Sequence, residues 1–550
     1  MTFFSVLKFV GILLEVLLIF NLLIIVHELG HFLAAKWRGL YIERFGIWFG
    51  KPIWEKKIGG IWYSLGSIPA GGFVKLPQLA PMEALEGQTE IPKDQLKPIA
   101  PLDKIIVAFA GPLFSFLLAF VFAVLVWQIG RPMAEPEGTK VIGQVEEGSP
   151  AEKVGLKAGD EIVAIDDIPV AKFAGQGHDS ILWRIVRSEG KSIKIQVKRG
   201  EELKTFEPEP KIPDTAFYER KGTRKIGIGP ALTPLVGDVK DSGAAKEAGL
   251  QKGDFITHVN DQPLYRPFGL SDYLADHPAE SVTLTVERGK QVLKVPFKLR
   301  SPIVSYVTED SPADRAGLKE GDRLVRMDEV VPASSSAVIN HIRSRGKQPL
   351  TLIVERGGKA LPPINVTPAD NADSNRPMIG ASFEDDLGFI PDLYGKGRTV
   401  FQTPWEQIKV SVGAIVGTID AVASRKSDIK LQHMGGPVMM MNVYYRLFEQ
   451  PEGWKLALWF SVLLNVNLAL LNMLPLPVLD GGHITLAILE GIRRKPVTGR
   501  FLEWIQTACA LLIIGFMLFV TFFDVQDVFG GKSEKGEKSK FRYATPAEAK

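Results

Sequence analysis

Four stretches of the chain are apolar for long enough to leave water: Phe3 to Val26, Ile105 to Ile129, about Leu456 to Leu474 and about Thr507 to Phe523. The first holds 24 residues, which as a helix extend about 36 Å at about 1.5 Å per residue and so cross about 30 Å of hydrocarbon with some tilt. It is longer than the apolar part of a signal peptide, and no small-residue cleavage site follows it, so it is expected to remain as an anchor. The others are long enough to span as well, although the third carries Asn465, Asn467 and Asn472. Between the second and third runs the pattern becomes one of short alternating strands such as "SIKIQVKRG", "VTLTVERG" and "LTLIVERGG".

Those strands belong to an internal repeat. "SPAEKVGLKAGDEIVAIDDIPV" from Ser149, "GAAKEAGLQKGDFITHVNDQPL" from Gly243 and "SPADRAGLKEGDRLVRMDEVVP" from Ser311 each read as a short helix ended by glycine, a Gly-Asp turn and an alternating strand. Three α/β modules are expected, at 137–213, 226–299 and 301–370. The pattern resembles PDZ domains, which bind extended peptides by adding a strand to a sheet edge. That resemblance implies peptide termini as ligands.

Composition fits a mixture of spans and water-exposed modules: 550 residues, 46% hydrophobic yet 23% charged. A net charge of +3 gives no basic surplus for a nucleic-acid partner. The single cysteine, Cys509, excludes internal disulfides and reads as a small core hydrophobe. Lys36, Arg38, Arg44, Lys51, Lys56 and Lys57 follow the first span, and Arg493, Arg494, Lys495 and Arg500 precede the last, so both segments are expected in the cytoplasm and the modules outside. Thr403 to Ser424 suits a helix lying on the outer membrane surface, with "LQHMGGPVMM" after it as a gate or a connector.

"VHELGHFLAAKW", residues 26 to 37, then places ionisable groups at the end of a membrane helix. His27 and His31 are four apart and project from one face, the spacing two imidazole ligands of zinc require, and Glu28 between them can reach a metal-bound water. Each ionisable group in hydrocarbon costs about 2.5–3.5 kcal/mol, which weighs against an idle polar face. Glu15 sits about 120° around the helix from His27, so it reads as a polar contact or part of a water path rather than a ligand. A catalytic zinc takes a third protein ligand. His178, His258, His277, His341 and His433 fall in the modules or connecting segments, whereas "NLALLNMLPLPVLDGGH" breaks an apolar helix with two prolines and presents a carboxylate. Asp480 is the third candidate, and His483 competes with it.

The HExxH of the first span, "NMLPLPVLDGG" in the third and PDZ-like copies between spans resemble the site-2 protease family of intramembrane zinc metalloproteases, over about residues 5 to 525. "SLGSIPAGGFVKL", Ser64 to Leu76, is similar to that family's membrane-re-entrant β-hairpin, and "AGP", Ala110 to Pro112, to the opening of its second span. The resemblance implies His27, His31 and Asp480 as zinc ligands, Glu28 as catalytic base, and Asn472, Gly71, Gly72 and Phe73 as substrate-binding residues. It implies single-span membrane proteins as substrates, such as an anti-sigma factor or signal-peptide remnants, and a home in the bacterial inner membrane with the modules on the periplasmic or outer side. The chain departs from the family at Ser115-Phe116, where Asn-Phe is usual, and in its third module where two are common.

The expected fold is therefore a multi-pass α-helical membrane protein with about four transmembrane helices, a re-entrant β-hairpin and three PDZ-like α/β modules outside the membrane. Its expected order is 1–36 first span with HExxH, 37–103 cytoplasmic-side segment with the hairpin at 64–76, 104–130 second span, the three modules, 371–450 linker with an amphipathic helix, 455–485 third span with the Leu-Asp-Gly motif, 500–525 fourth span and 530–550 polar tail. The competing readings are a catalytically inactive membrane-tethered PDZ scaffold and a metal transporter. A scaffold would be free to lose Glu28, and a transporter would spread polar groups along several spans instead of gathering them at one depth.

Overall fold

The computed structural model describes residues 3–529, apart from 80–95, 97–98, 176, 217, 242, 267–268, 278–280, 333, 371–376, 393–397, 451 and 495–498. The polar tail at 530–550 thus lies outside the described residues. Helices α1 (Phe3–Arg38), α2 (Pro101–Ile129), α3 (Pro404–Ala423), α4 (Pro437–Glu449), α5 (Gly453–Asn472), α6 (Asp480–Arg493) and α7 (Gly499–Phe529) form the helical part. Four of them, α1, α2, α5 and α7, are long and apolar enough to cross a membrane. Their outward faces are apolar and exposed, with Leu18 at 71% and Leu512 at 72%, as helices solvated by lipid require.

The second span begins at Pro101, where proline suits the first turn because its missing N–H has no helical partner there. "AGP" consequently lies inside α2 and does not open it. The third apolar run is not one helix through 485. Pro475 and Pro477 remove backbone donors, so α5 stops at Asn472 and α6 starts at Asp480. Helix α3 packs against α2 and α5. Gln407 Nε2 donates to the Ala123 carbonyl of α2 at 2.9 Å, and Ile408 joins a core with Ile12, Val16, Ala123 and Val462. "GGPVMM" opens α4, whose first turn is held by α7: Asp524 accepts from Gly436 N–H at 2.9 Å and Met439 N–H at 3.0 Å. Glu15 is exposed on α1 with no polar partner among the described residues.

Strands β1 (Arg44–Ile58) and β2 (Ile61–Lys75) turn at Gly59-Gly60, both in the left-handed region. Arg44–Ile47 faces Trp62–Leu65 on one side and runs antiparallel to Gly72–Lys75 on the other. Ser64 to Leu76 is therefore not a hairpin by itself: β1 passes between its two halves, and Gly72–Lys75 becomes a sheet edge. The sheet packs on the C-terminal end of α1 and the N-terminal end of α2 through Phe32, Phe45, Tyr63 and Val74, and Trp48 Nε1 donates to Asn21 Oδ1 of α1 at 2.6 Å.

Three β-rich units with separate cores follow α2. Their Gly-Asp turns have a common physical cause. Asp160, Asp254 and Asp322 are buried, each accepts the backbone N–H three residues earlier, and each pairs with an arginine from the "KRG" or "ERG" strand end, Arg199, Arg288 and Arg356, at 2.6, 2.7 and 2.6 Å.

The boundaries differ from those expected. Ile142–Val145 of the first unit pairs with Ile228–Pro230, and Ile226 sits in its core, so this unit runs past 213 and takes the start of the segment assigned to the second. The third unit extends to Ala381–Glu384, which pairs with Ile303–Val307. The second closes only afterwards: Val236–Val239 pairs with Phe389–Pro391, and Phe389 lies in its core. The third unit is thus inserted within the second. The closing bond is the same in all three: Ala151 N–H donates to Ile226, Ala245 to Leu387 and Ala313 to Ile379.

Nesting generates a test. Phe389→Ala should remove about 3–5 kcal/mol from the second unit, although residue 389 lies beyond the third in sequence. Hydrogen exchange of the full chain should show faster exchange at Val282–Val286 and unchanged protection at Leu350–Val354. Loss confined to the third unit would refute the insertion.

Candidate metal centre

The centre is built where α1 crosses α2. An added Cβ on Gly30 would lie 2.4 Å from the Ala110 carbonyl oxygen, and one on Gly111 would lie 2.2 Å from His31 Nε2. Only residues without side chains permit this approach, and it brings polar groups of α2 against both histidine rings. His31 Nδ1 is 2.8 Å from the Val107 carbonyl, and His27 Nδ1 is 2.9 Å from Ser115 Oγ. A carbonyl only accepts, so His31 donates from Nδ1, and Nε2 is the nitrogen that faces the site.

Asp480 arrives from the first turn of α6. An added Cβ on Gly481 would lie 2.2 Å from the Met473 carbonyl oxygen, and one on Gly482 2.0 Å from that of Leu476. The two glycines let α6 start directly beneath the proline-broken segment. His27 Nε2 to His31 Nε2, His27 Nε2 to Asp480 Oδ2 and His31 Nε2 to Asp480 Oδ1 are each 3.3 Å. Ligands of a tetrahedral zinc with bonds of about 2.0–2.1 Å are separated by about 3.3–3.4 Å, so the triangle has the dimensions and the donor chemistry of three zinc ligands. Among the described residues it is the cluster able to hold a metal ion.

Glu28, Phe73, Val74, Asn472 and His483 line one cavity of about 260 Å³ with the triangle. Val74 lines the cavity beside Glu28. Asn472 Nδ2 is 3.3 Å from His27 Nε2. An added Cβ on Gly72 would be 3.4 Å from Glu28 Cγ, so the backbone of the sheet edge passes beside that side chain. Gly71 is set back: its φ is +80° and the Phe49 ring covers it, itself stacked on Phe73 at 6.0 Å. His483 borders the cavity without joining the triangle. The remaining histidines are engaged elsewhere: His178 packs on Gly413, His258 contacts Thr257, His277 stacks on Tyr273, His341 pairs with Asp328, and His433 contacts Lys221.

Sequence reasoning left out the contribution of α2. Val107 acts through its carbonyl and Gly111 through an absent side chain, so neither carries a signal in its residue type. Ser115 departs from the family pattern in the sequence, and only its place opposite His27 gives it a partner.

The sequence profile of peptidase family M50 matches residues 15–516. Among similar proteins are Protease RseP of Yersinia pestis, 26% identical over 520 residues that cover 91% of this chain and 96% of that protein, and the regulator of sigma-E protease RseP of Escherichia coli, 26% identical over 524 residues with the same coverage. A Neisseria meningitidis protein whose name includes the words zinc metalloprotease is 26% identical over 517 residues, 93% of this chain and 98% of its own length. A match that begins inside α1, ends inside α7 and takes in both helices that supply the triangle means that the chain belongs to peptidase family M50, as an intramembrane zinc metalloprotease of the site-2 type.

Proposed function

We propose that this protease holds its zinc through His27, His31 and Asp480 and cleaves transmembrane segments of single-span membrane proteins, with Glu28 as general base. The observation that carries the reading is the 3.3 Å triangle with Glu28 beside it in one cavity. When bound, zinc supplies Lewis acidity toward the attacking water and the scissile carbonyl. Glu28 takes a proton from that water onto its carboxylate and returns it to the departing amide nitrogen.

A transmembrane helix hides each peptide bond in its own ladder, so cleavage needs replacement partners for a stretch that has unwound. Gly72–Lys75 is an edge beside Glu28, and among the described residues no strand pairs with it on the cavity side. A substrate strand added there lies against the base, with Phe73 and Gly72 as the contacting residues and Gly71 allowing the bend that presents them. Asn472, at the end of the broken helix, holds a freed backbone group. In this reading the β1–β2 sheet re-enters the membrane from the cytoplasmic side.

The three outer units act as PDZ-like modules on the periplasmic side of a bacterial inner membrane, and they admit substrates by bulk or by peptide terminus. The domain division is the expected one except that the first unit runs to 230, the third runs to 384 and sits inside the second, which closes at 389–391, and the helix of the third span ends at Asn472. Regulated cleavage of an anti-sigma factor suits this arrangement, because a prior cut outside the membrane supplies both a small remnant and a new terminus. A catalytically inactive scaffold has less support, since the base and all three ligand atoms stand together.

Three expected outcomes test the reading. Purified full-length protein should carry about one zinc, and Asp480→Ala should lower its content by metal analysis, because two ligands close a site poorly. Full zinc in that variant, with loss in His483→Ala, would reassign the third ligand. Glu28→Gln should keep zinc and fold yet lose about 100-fold or more of cleavage of a single-span peptide in detergent; near-wild-type cleavage would end the mechanism. Asn472→Ala should lose most on a stiffly helical substrate and recover much of its rate on one softened by glycine near the scissile bond. Equal losses on both would remove Asn472 from substrate holding.

A further inference from the structure

Helix α2 offers α1 three positions, one turn apart on one face: Val107, Gly111 and Ser115. They oppose His31 and His27, which are also one turn apart. Val107 supplies a carbonyl to His31 Nδ1, Gly111 clears room for the His31 ring, and Ser115 stands at His27 Nδ1, with 0% of its surface exposed. The ring nitrogen that faces away from a metal needs an acceptor to fix tautomer and orientation. For His31 that acceptor is backbone and survives any substitution of Val107. For His27 it is a side-chain oxygen, and Ser115 alone decides whether it is there.

We infer that Ser115 is a positioning residue for the metal centre: its Oγ accepts the Nδ1 proton of His27 and so aims Nε2 at the zinc. The inference rests on the reading of His27 as a ligand and goes beyond it. His27 is also the ring nearest Asn472, at 3.3 Å. A swing of this imidazole therefore disturbs the metal site and the substrate-holding amide together. The hydroxyl can donate as well as accept, so at His27, unlike His31, the partner does not by itself forbid the other tautomer. Metal binding to Nε2 selects the one with Nδ1 protonated.

The test compares Ser115→Thr with Ser115→Val, which add the same bulk to α2 and differ in the oxygen, alongside Ser115→Ala, His27→Ala and the parent as detergent-solubilised full-length proteins. Zinc affinity is read by competition with a chromogenic chelator, and folding by circular dichroism. The Thr variant should stay within about threefold of the parent, whereas Val and Ala should lose about 10- to 100-fold in zinc affinity, the usual cost of removing such a partner. Where the added methyl unfolds both Thr and Val, Ala against the parent decides by the same measure. Equal affinities for Thr and Val, or parent-like affinity in Ala, would overturn the role of Ser115. His27→Ala retaining full zinc would overturn the ligand reading instead, so the two failures are distinguishable.

Discussion

The close crossing of α1 and α2 at Gly30 and Gly111 is the constraint on which the rest depends. Two imidazoles buried near a membrane need their outward nitrogens satisfied, since an unpaired buried polar group costs about 1–3 kcal/mol. Water is scarce there, so the partner has to be protein. Bare glycine on both helices brings the Val107 carbonyl and the Ser115 hydroxyl within hydrogen-bond reach. Any side chain at either glycine would push the helices apart and leave both rings without their partners. Small residues at a membrane-helix interface usually serve packing; here the same approach also brings both histidine rings to hydrogen-bond partners on α2.

The second half of the triangle is reached by the opposite device. Pro475 and Pro477 break α5, and Gly481-Gly482 let α6 begin at once with Asp480 in its first turn. A carboxylate suits a helix N-terminus, where backbone N–H groups point outward. Irregular backbone at this depth is tolerable where it lines a cavity instead of lipid, and Val478, Leu479 and Asn472 border the same cavity as Glu28. Breaking the helix therefore places the Asp480 carboxylate at the triangle and opens a wall of the cavity in one stroke.

Outside the helical part, charge pairs tie the first β-rich unit to the helices beside it. Arg187 pairs with Asp420 of α3, Arg224 with Asp428, and Arg220 with Asp524 and Asp527 of α7. Asp524 is fully buried and also holds the first turn of α4, so one carboxylate joins the first unit, α4 and α7. Insertion of the third unit within the second means that the second cannot complete its sheet until the chain has passed through the third. The two are coupled by chain connectivity as well as by contact.

The sequence alone determined the apolar spans, the three repeated units and the chemistry-bearing residues, because each rests on local spacing: a helix of fixed pitch puts His27 beside His31, and a Gly-Asp turn recurs wherever an arginine stands at the end of the following strands. Asp480 was legible for the same reason, as a carboxylate set after two prolines. Tertiary structure decided what depends on pairing between distant segments. Ile226, Ile379 and Phe389 close their units through strands that look alike in any register, so their assignment to one unit or another is not encoded locally. β1 passes between the halves of Ser64 to Leu76, which turns an expected hairpin into a sheet edge. Val107, Gly111 and Ser115 matter only because α2 lies across α1: a carbonyl, a missing side chain and a hydroxyl acquire their roles from the neighbour they face.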